Sequence, residues 1–206
     1  MSLVTLLALV MFATLVAYAV LAGADFGAGI WDLVARGERR AAHRAALAKA
    51  IGPVWEANHV WLIFLVVLLF TCFPAAYAQA SVALFWPLHA VLLGIVLRGA
   101  AYVFRAYAAG SDATREAWGH VFGASSALTP ILLGMCLGAL STGDPYRWYA
   151  PFPVATGVLA LLICAYLAAV YLAWEADDPA LRDDFRQRAL VVWWIAGAAS
   201  SARRAR

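Results

Sequence analysis

The sequence predicts an all-α integral membrane protein, a multi-span helical bundle of about five transmembrane helices plus a short sixth apolar segment. Three observations predict it. Of 206 residues, 65% are hydrophobic and 13% charged, where a soluble domain carries roughly 25% charged residues. Mean hydropathy is +0.80. The uncharged stretches are long enough to cross a hydrocarbon core, which takes about 20 helical residues.

The spans follow from those stretches in order. Residues 1–24 hold no Asp, Glu, Lys or Arg. They lack the basic start and short apolar core of a cleaved signal, so they read as a retained span. Residues 57–97 suffice for two spans, with Phe73-Pro74 as the turn between them. Residues 117–143 and 148–174 supply one each. Residues 189–202 are uncharged but too short to cross comfortably. The chain therefore divides into a bundle, 1–188, and a tail, 189–206, read as a truncated sixth span or an interfacial segment.

Charge placement orients the bundle. The first loop holds Arg36, Arg39, Arg40, Arg44 and Lys49; the third holds Arg98, Arg105 and Arg115; the fifth holds Arg182, Arg186 and Arg188. The even loops hold only Arg147. The positive-inside rule puts the N-terminus outside and the basic loops in the cytoplasm. No basic face exists outside these short loops, which argues against nucleic acid as a partner. Cys72, Cys136 and Cys164 lie in apolar runs without CxxC or CxxCH spacing, so they read as packing residues rather than disulfides or covalent haem attachments.

A few polar residues are not explained by lipid. Asp25 lies in Gly-Ala-Asp-Phe-Gly-Ala-Gly, Gly23 to Gly29. It is either a helix end at the interface or a proton-handling carboxylate packed against a neighbour, since glycines four apart admit a close helix. Glu56 opens the second span, crowded by Trp55, Asn58, His59 and Trp61. A carboxylate after Pro53 suits a helix N-terminus, but intramembrane acids usually mark ion paths. Asp25 and Glu56 fall at one cytoplasmic depth and together make a candidate proton-entry route. His59 and His89 fall at similar depth, roughly 10–14 Å from the inner end at about 1.5 Å per residue. They read as packing residues, with axial haem ligation as the rival. Glu56-x-x-His59 lacks the second such motif that a di-iron site needs. Arg98 and Arg105 read as snorkelling stop signals, with pairing to an acid of a partner subunit as the alternative.

Four blocks in order, GADFGAGIWDL, IGPVWEANHVWLI, FPAAYA and LRGAAYVFR, resemble subunit II of cytochrome bd-type quinol oxidases. The likeness runs from Gly23 to Arg105, and helix spacing extends it to about Leu190. The resemblance implies a subunit that ligates no haem and binds no metal. Haem b and haem d, with the quinol site, would lie in a partner, subunit I, against which this chain packs in the bacterial cytoplasmic membrane. It implies that Glu56, the acid of the Pro-x-Trp-acid-x-Asn motif, and Asp25 serve proton delivery to the oxygen-reducing haem. Trp55, Asn58, His59, Trp61 and Arg98 would line that seam. The family's subunit is roughly twice as long, so a truncated copy, or a split gene with a separate second half, is expected; a small third subunit is a further partner. The rival functions are half of a transporter or channel, which would show repeats and midplane polar residues, and an inactive fragment.

Overall fold

The structure, a computed structural model, describes residues 2–37, 39–107 and 112–204, apart from the side chains of 51–54, 56, 106–107 and 199–204. The described residues form helices α1 (Leu3–Val34), α2 (Arg40–Cys72), α3 (Pro74–Ala83), α4 (Phe85–Tyr107), α5 (Asp112–Ser141), α6 (Pro151–Glu175) and α7 (Pro179–Arg204), with a 3₁₀ turn at Pro145–Arg147. Their ends follow local chemistry. Ser2 caps α1 by accepting from the Thr5 amide at 3.2 Å. Pro74, Pro151 and Pro179 open α3, α6 and α7, where a missing N–H costs nothing. Asp178 caps α7 through the Ala180 amide at 3.0 Å.

Helices α1, α5 and α6 form the centre. α2 packs on α1, α4 on α5, and α7 on α6. Close approach is purchased with small residues. A Cβ on Gly27 would strike the Cys164 carbonyl oxygen and lie 2.6 Å from the Ala168 Cβ, so α1 and α6 meet backbone to backbone. Tyr18, Ala22, Phe26 and Cys164 fill the middle of the bundle. Phe122, Leu47, Leu172 and Phe185 fill the end where α2 and α7 begin.

α1, residues Phe85–Arg105 of α4, α5 and α6 are each long and apolar enough to cross a membrane. Ala57–Cys72 of α2 and Pro74–Ala83, bent by 114° at the break between them, are long and apolar enough only when taken together, as a fifth, broken span or a re-entrant loop. The turn at Phe73-Pro74 is present, but it leads into a separate ten-residue helix before α4 starts. α7 runs unbroken from Pro179 to Arg204, through the charged stretch and the apolar one alike. Cys136 and Cys164 are buried, Cys72 is half-buried, and all three thiols are free.

Candidate functional site: a buried ion pair between α1 and α4

Asp25 does not end a helix. α1 continues nine residues past it, to Val34, and Asp25 is 1% exposed. The interface reading of this residue is therefore corrected: the small residues around it bury it against protein. Its carboxylate faces Arg98 of α4. Arg98 Nη1 donates to Oδ2 at 3.0 Å, and Nη2 donates both to Oδ1 and, at 3.0 Å, to the Asp25 backbone oxygen. Nε donates to Ser126 Oγ of α5 at 2.9 Å. Phe26 and Phe122 cover the guanidinium, their centroids 5.1 and 4.9 Å from Cζ. Arg98 is 3% exposed. It is neither a snorkelling stop signal nor reserved for an acid of another chain, because Asp25 of its own chain holds it. Two charges leave water at a cost of several kcal/mol each, and a bidentate, fully hydrogen-bonded geometry is what offsets it.

Asn58 of α2 joins the pair from the third side, donating from Nδ2 to Asp25 Oδ2 at 3.3 Å. Its Oδ1 is buried without a hydrogen-bond partner. Beside it is a cavity of about 10 Å³ lined by Tyr18, Asp25, Asn58, His59 and Arg98 among others. That volume suits one water, and the polar lining supplies its partners.

The remaining expected residues separate by helix face. Trp55, half-buried, sits edge-on to His59 at 5.0 Å and over Tyr102 at 6.1 Å. His59 Nδ1 pairs with the Trp55 carbonyl one turn back at 2.7 Å. His89 does the same with Phe85, but it is exposed and does not share the Asp25 cavity. Trp61 is 37% exposed. It lies six residues from Trp55, about 240° around the helix, and so stands apart from the Trp55–His59 contact. Glu56 is on α2 between Trp55 and Asn58, and its side chain lies outside the described residues. Among the described residues, no group of three or more His, Cys, Asp or Glu is placed to hold a metal ion.

A second ion pair escaped the reading of the sequence. One heptad further along both helices, Asp32 accepts from Arg105, at Oδ2 from Nη1 and at Oδ1 from Nη2 at 3.3 Å. Arg44 Nε of α2 lies 3.0 Å from the same Oδ1, out of line for a hydrogen bond. A cavity of about 200 Å³ opens beside the three. The signal was the repeated spacing: Asp25 and Asp32 are seven apart, as are Arg98 and Arg105, so each set occupies one helix face. Further out, Lys49 bridges Asp177 at 2.9 Å. That hydrogen bond and charge hold the exposed Asp177 carboxyl below its ordinary range and the lysine above its own.

The chain matches the model of the family described as cytochrome bd terminal oxidase subunit II over residues 3–203. It is 33% identical over 128 residues to the cytochrome bd ubiquinol oxidase subunit 2 of Bacillus subtilis (strain 168), covering 61% of this chain and 36% of that one. It is 26% identical over 173 residues to the cytochrome bd-I ubiquinol oxidase subunit 2 of Escherichia coli (strain K12), covering 77% and 45%. Its fold resembles a chain in the structure of bd oxidase from Geobacillus thermodenitrificans, with a TM-score of 0.77 at 21% identity, covering 97% of this chain and 65% of that one. The chain spans less than half the length of these two curated relatives.

Proposed function

The chain belongs to the cytochrome bd terminal oxidase subunit II family, and on that premise we propose that it is the non-haem subunit of a quinol:oxygen oxidoreductase of the bacterial cytoplasmic membrane. The observation that carries the proposal is the family match along residues 3–203. The partner is a haem-bearing subunit I that holds haem b and haem d and oxidises the quinol. The N-terminus lies outside and the α1–α2, α4–α5 and α6–α7 connections face the cytoplasm. The residual basic residues of those connections support that orientation even with Arg98 and Arg105 turned inward, since they still outnumber Arg147.

Within that complex Glu56 passes protons from the cytoplasm, and Asp25 belongs to the same route. Two observations support the division of labour. Asn58 of α2 touches Asp25, and the space beside these two fits one water. Arg98 anchors the Asp25 carboxylate by two donors, so Asp25 fixes a negative charge while Glu56 takes and releases the proton. A positioned proton-transfer group contributes about 10²–10⁴-fold. The test is Glu56→Gln in the complex assembled with subunit I, with oxygen uptake measured beside the reduced-minus-oxidised visible spectrum. Oxygen uptake at least about tenfold slower with unchanged haem bands is the expected result. Full turnover in Glu56→Gln would remove the proton role.

A further inference from the structure

A second concentration of cationic groups surrounds a cavity of about 610 Å³ where the end of α1, the start of α2 and the middle of α7 meet. Gly37, at φ +82°, reverses the chain there and sets Arg36 and Arg39 on the cavity wall. His43 and Arg188 complete the basic lining, and Asp184 is the one carboxylate among the described lining residues. Glu38, between Gly37 and Arg39, lies outside the described residues.

The donors here exceed what Asp184 accepts. Arg39 Nη1 is 3.1 Å and His43 Nε2 3.2 Å from the same Asp184 oxygen. Yet neither ring nitrogen of His43 makes an aligned hydrogen bond, and the residue is 3% exposed. Arg188 Nη1 is likewise buried without a hydrogen-bond partner. Its guanidinium is held in place by the faces of Trp31 and Phe185, at 5.2 and 5.4 Å. Four basic side chains line the cavity against one carboxylate, with Arg36 and Arg39 both exposed, and that excess of donors suits an acceptor-rich guest.

We propose that this cavity binds a phosphate group, supplied by the headgroup of an anionic phospholipid. A phosphate offers several strong acceptor oxygens, and arginine forks match its geometry. The wall decides the source. Val191 borders the cavity, and from there α7 continues into Trp194 and Ile195, both exposed and apolar. A phosphate on Arg36 and Arg188 would leave acyl chains running along that face, the arrangement by which basic pockets at a membrane surface select acidic lipids. The site is independent of the oxidase reading, since none of its residues touches the Asp25 centre.

The test is native mass spectrometry of the full-length chain, delipidated in neutral detergent and titrated with phosphatidylglycerol, phosphatidylcholine or inorganic phosphate. The wild type retains one phosphatidylglycerol saturably. Arg36→Gln, at an exposed residue whose loss leaves the packing alone, weakens retention about fivefold, and Arg36→Gln with Arg188→Gln about twenty-fivefold. Lys49→Gln, outside the cavity, matches wild type. Helix content by circular dichroism accompanies each variant, and the Arg36→Gln result decides the matter if Arg188→Gln disturbs folding. Equal retention by Arg36→Gln and wild type, or equal retention of phosphatidylcholine, overturns the proposal. Displacement of the lipid by inorganic phosphate at comparable concentration overturns the lipid as source and assigns the cavity to soluble phosphate.

Discussion

The two ion pairs between α1 and α4 have the same composition, and each spans 73 residues of sequence. Yet Asp25–Arg98 is closed and Asp32–Arg105 is open. At the first, one arginine meets the carboxylate, a serine and a backbone oxygen, and two phenylalanines cover its guanidinium. At the second the carboxylate is also buried, Asp32 being 2% exposed, but two arginines share it beside a cavity and the Arg105 side chain is 28% exposed. The contrast teaches that pairing alone says little about what an ion pair contributes. Burial sets the penalty for breaking it, because a stranded charge that can reach water loses far less than one that cannot.

Breaking each pair in turn tests this. Arg98→Met leaves Asp25 buried and alone, and should lower unfolding free energy by about 3–5 kcal/mol in a denaturing-detergent titration. Replacing both partners, Asp25→Leu with Arg98→Met, should recover most of that loss, since an apolar pair of similar volume is near neutral. A double mutant as unstable as Arg98→Met would show that the pair shapes the fold rather than merely neutralising itself. Gly27→Ala, between the two acids on α1, drives a methyl into the Cys164 carbonyl and should cost about 1–3 kcal/mol by the same titration. Arg105→Gln should cost about 1 kcal/mol, because Arg44 and the adjoining cavity remain to the Asp32 carboxylate. A loss as large as that of Arg98→Met would erase the distinction between the two rungs.

The smallest effect belongs to the fully exposed Lys49–Asp177 bridge. Its carboxyl titrates below the ordinary range when folded, so the unfolded chain binds the proton first. The contribution is present above the ordinary carboxylate pKa of about 3.9 and fades as pH falls through the lowered value. Comparing thermal unfolding of wild type and Asp177→Asn at neutral and acid pH should show a small difference that disappears in acid and in high salt.

Much of the fold was legible because lipid imposes a simple rule, long uncharged runs, and α1, α4, α5 and α6 obey it. The ends of α1 and α4 were not, for one physical reason. A charge was counted against lipid, so Asp25 marked a helix end and Arg98 and Arg105 marked a loop. Inside a bundle the relevant neighbour is another helix, and a matched seven-residue spacing on two helices outweighs the cost of each charge taken singly. The aromatic crowd around Glu56 divides more finely than its spacing suggests. Trp55 meets His59 one turn on, while Trp61 stands apart from Trp55 and is 37% exposed. Asn58 was expected at the seam with a partner; its contact within the chain is Asp25, which only the packing of α2 on α1 could supply.

The separation of Asp25 from its partner also has a history in time. At about 5–20 residues per second, a ribosome needs about 4–15 s to travel from Asp25 to Arg98, 73 residues later. Through that interval α1 carries an acid that lipid rejects, with α2 and α3 already made and the answering cation still unsynthesised. Residues 1–24 alone are long enough to cross, so α1 can insert in that interval with Asp25 held near the water interface. The buried pair is therefore a late event of assembly, completed only when α4 arrives.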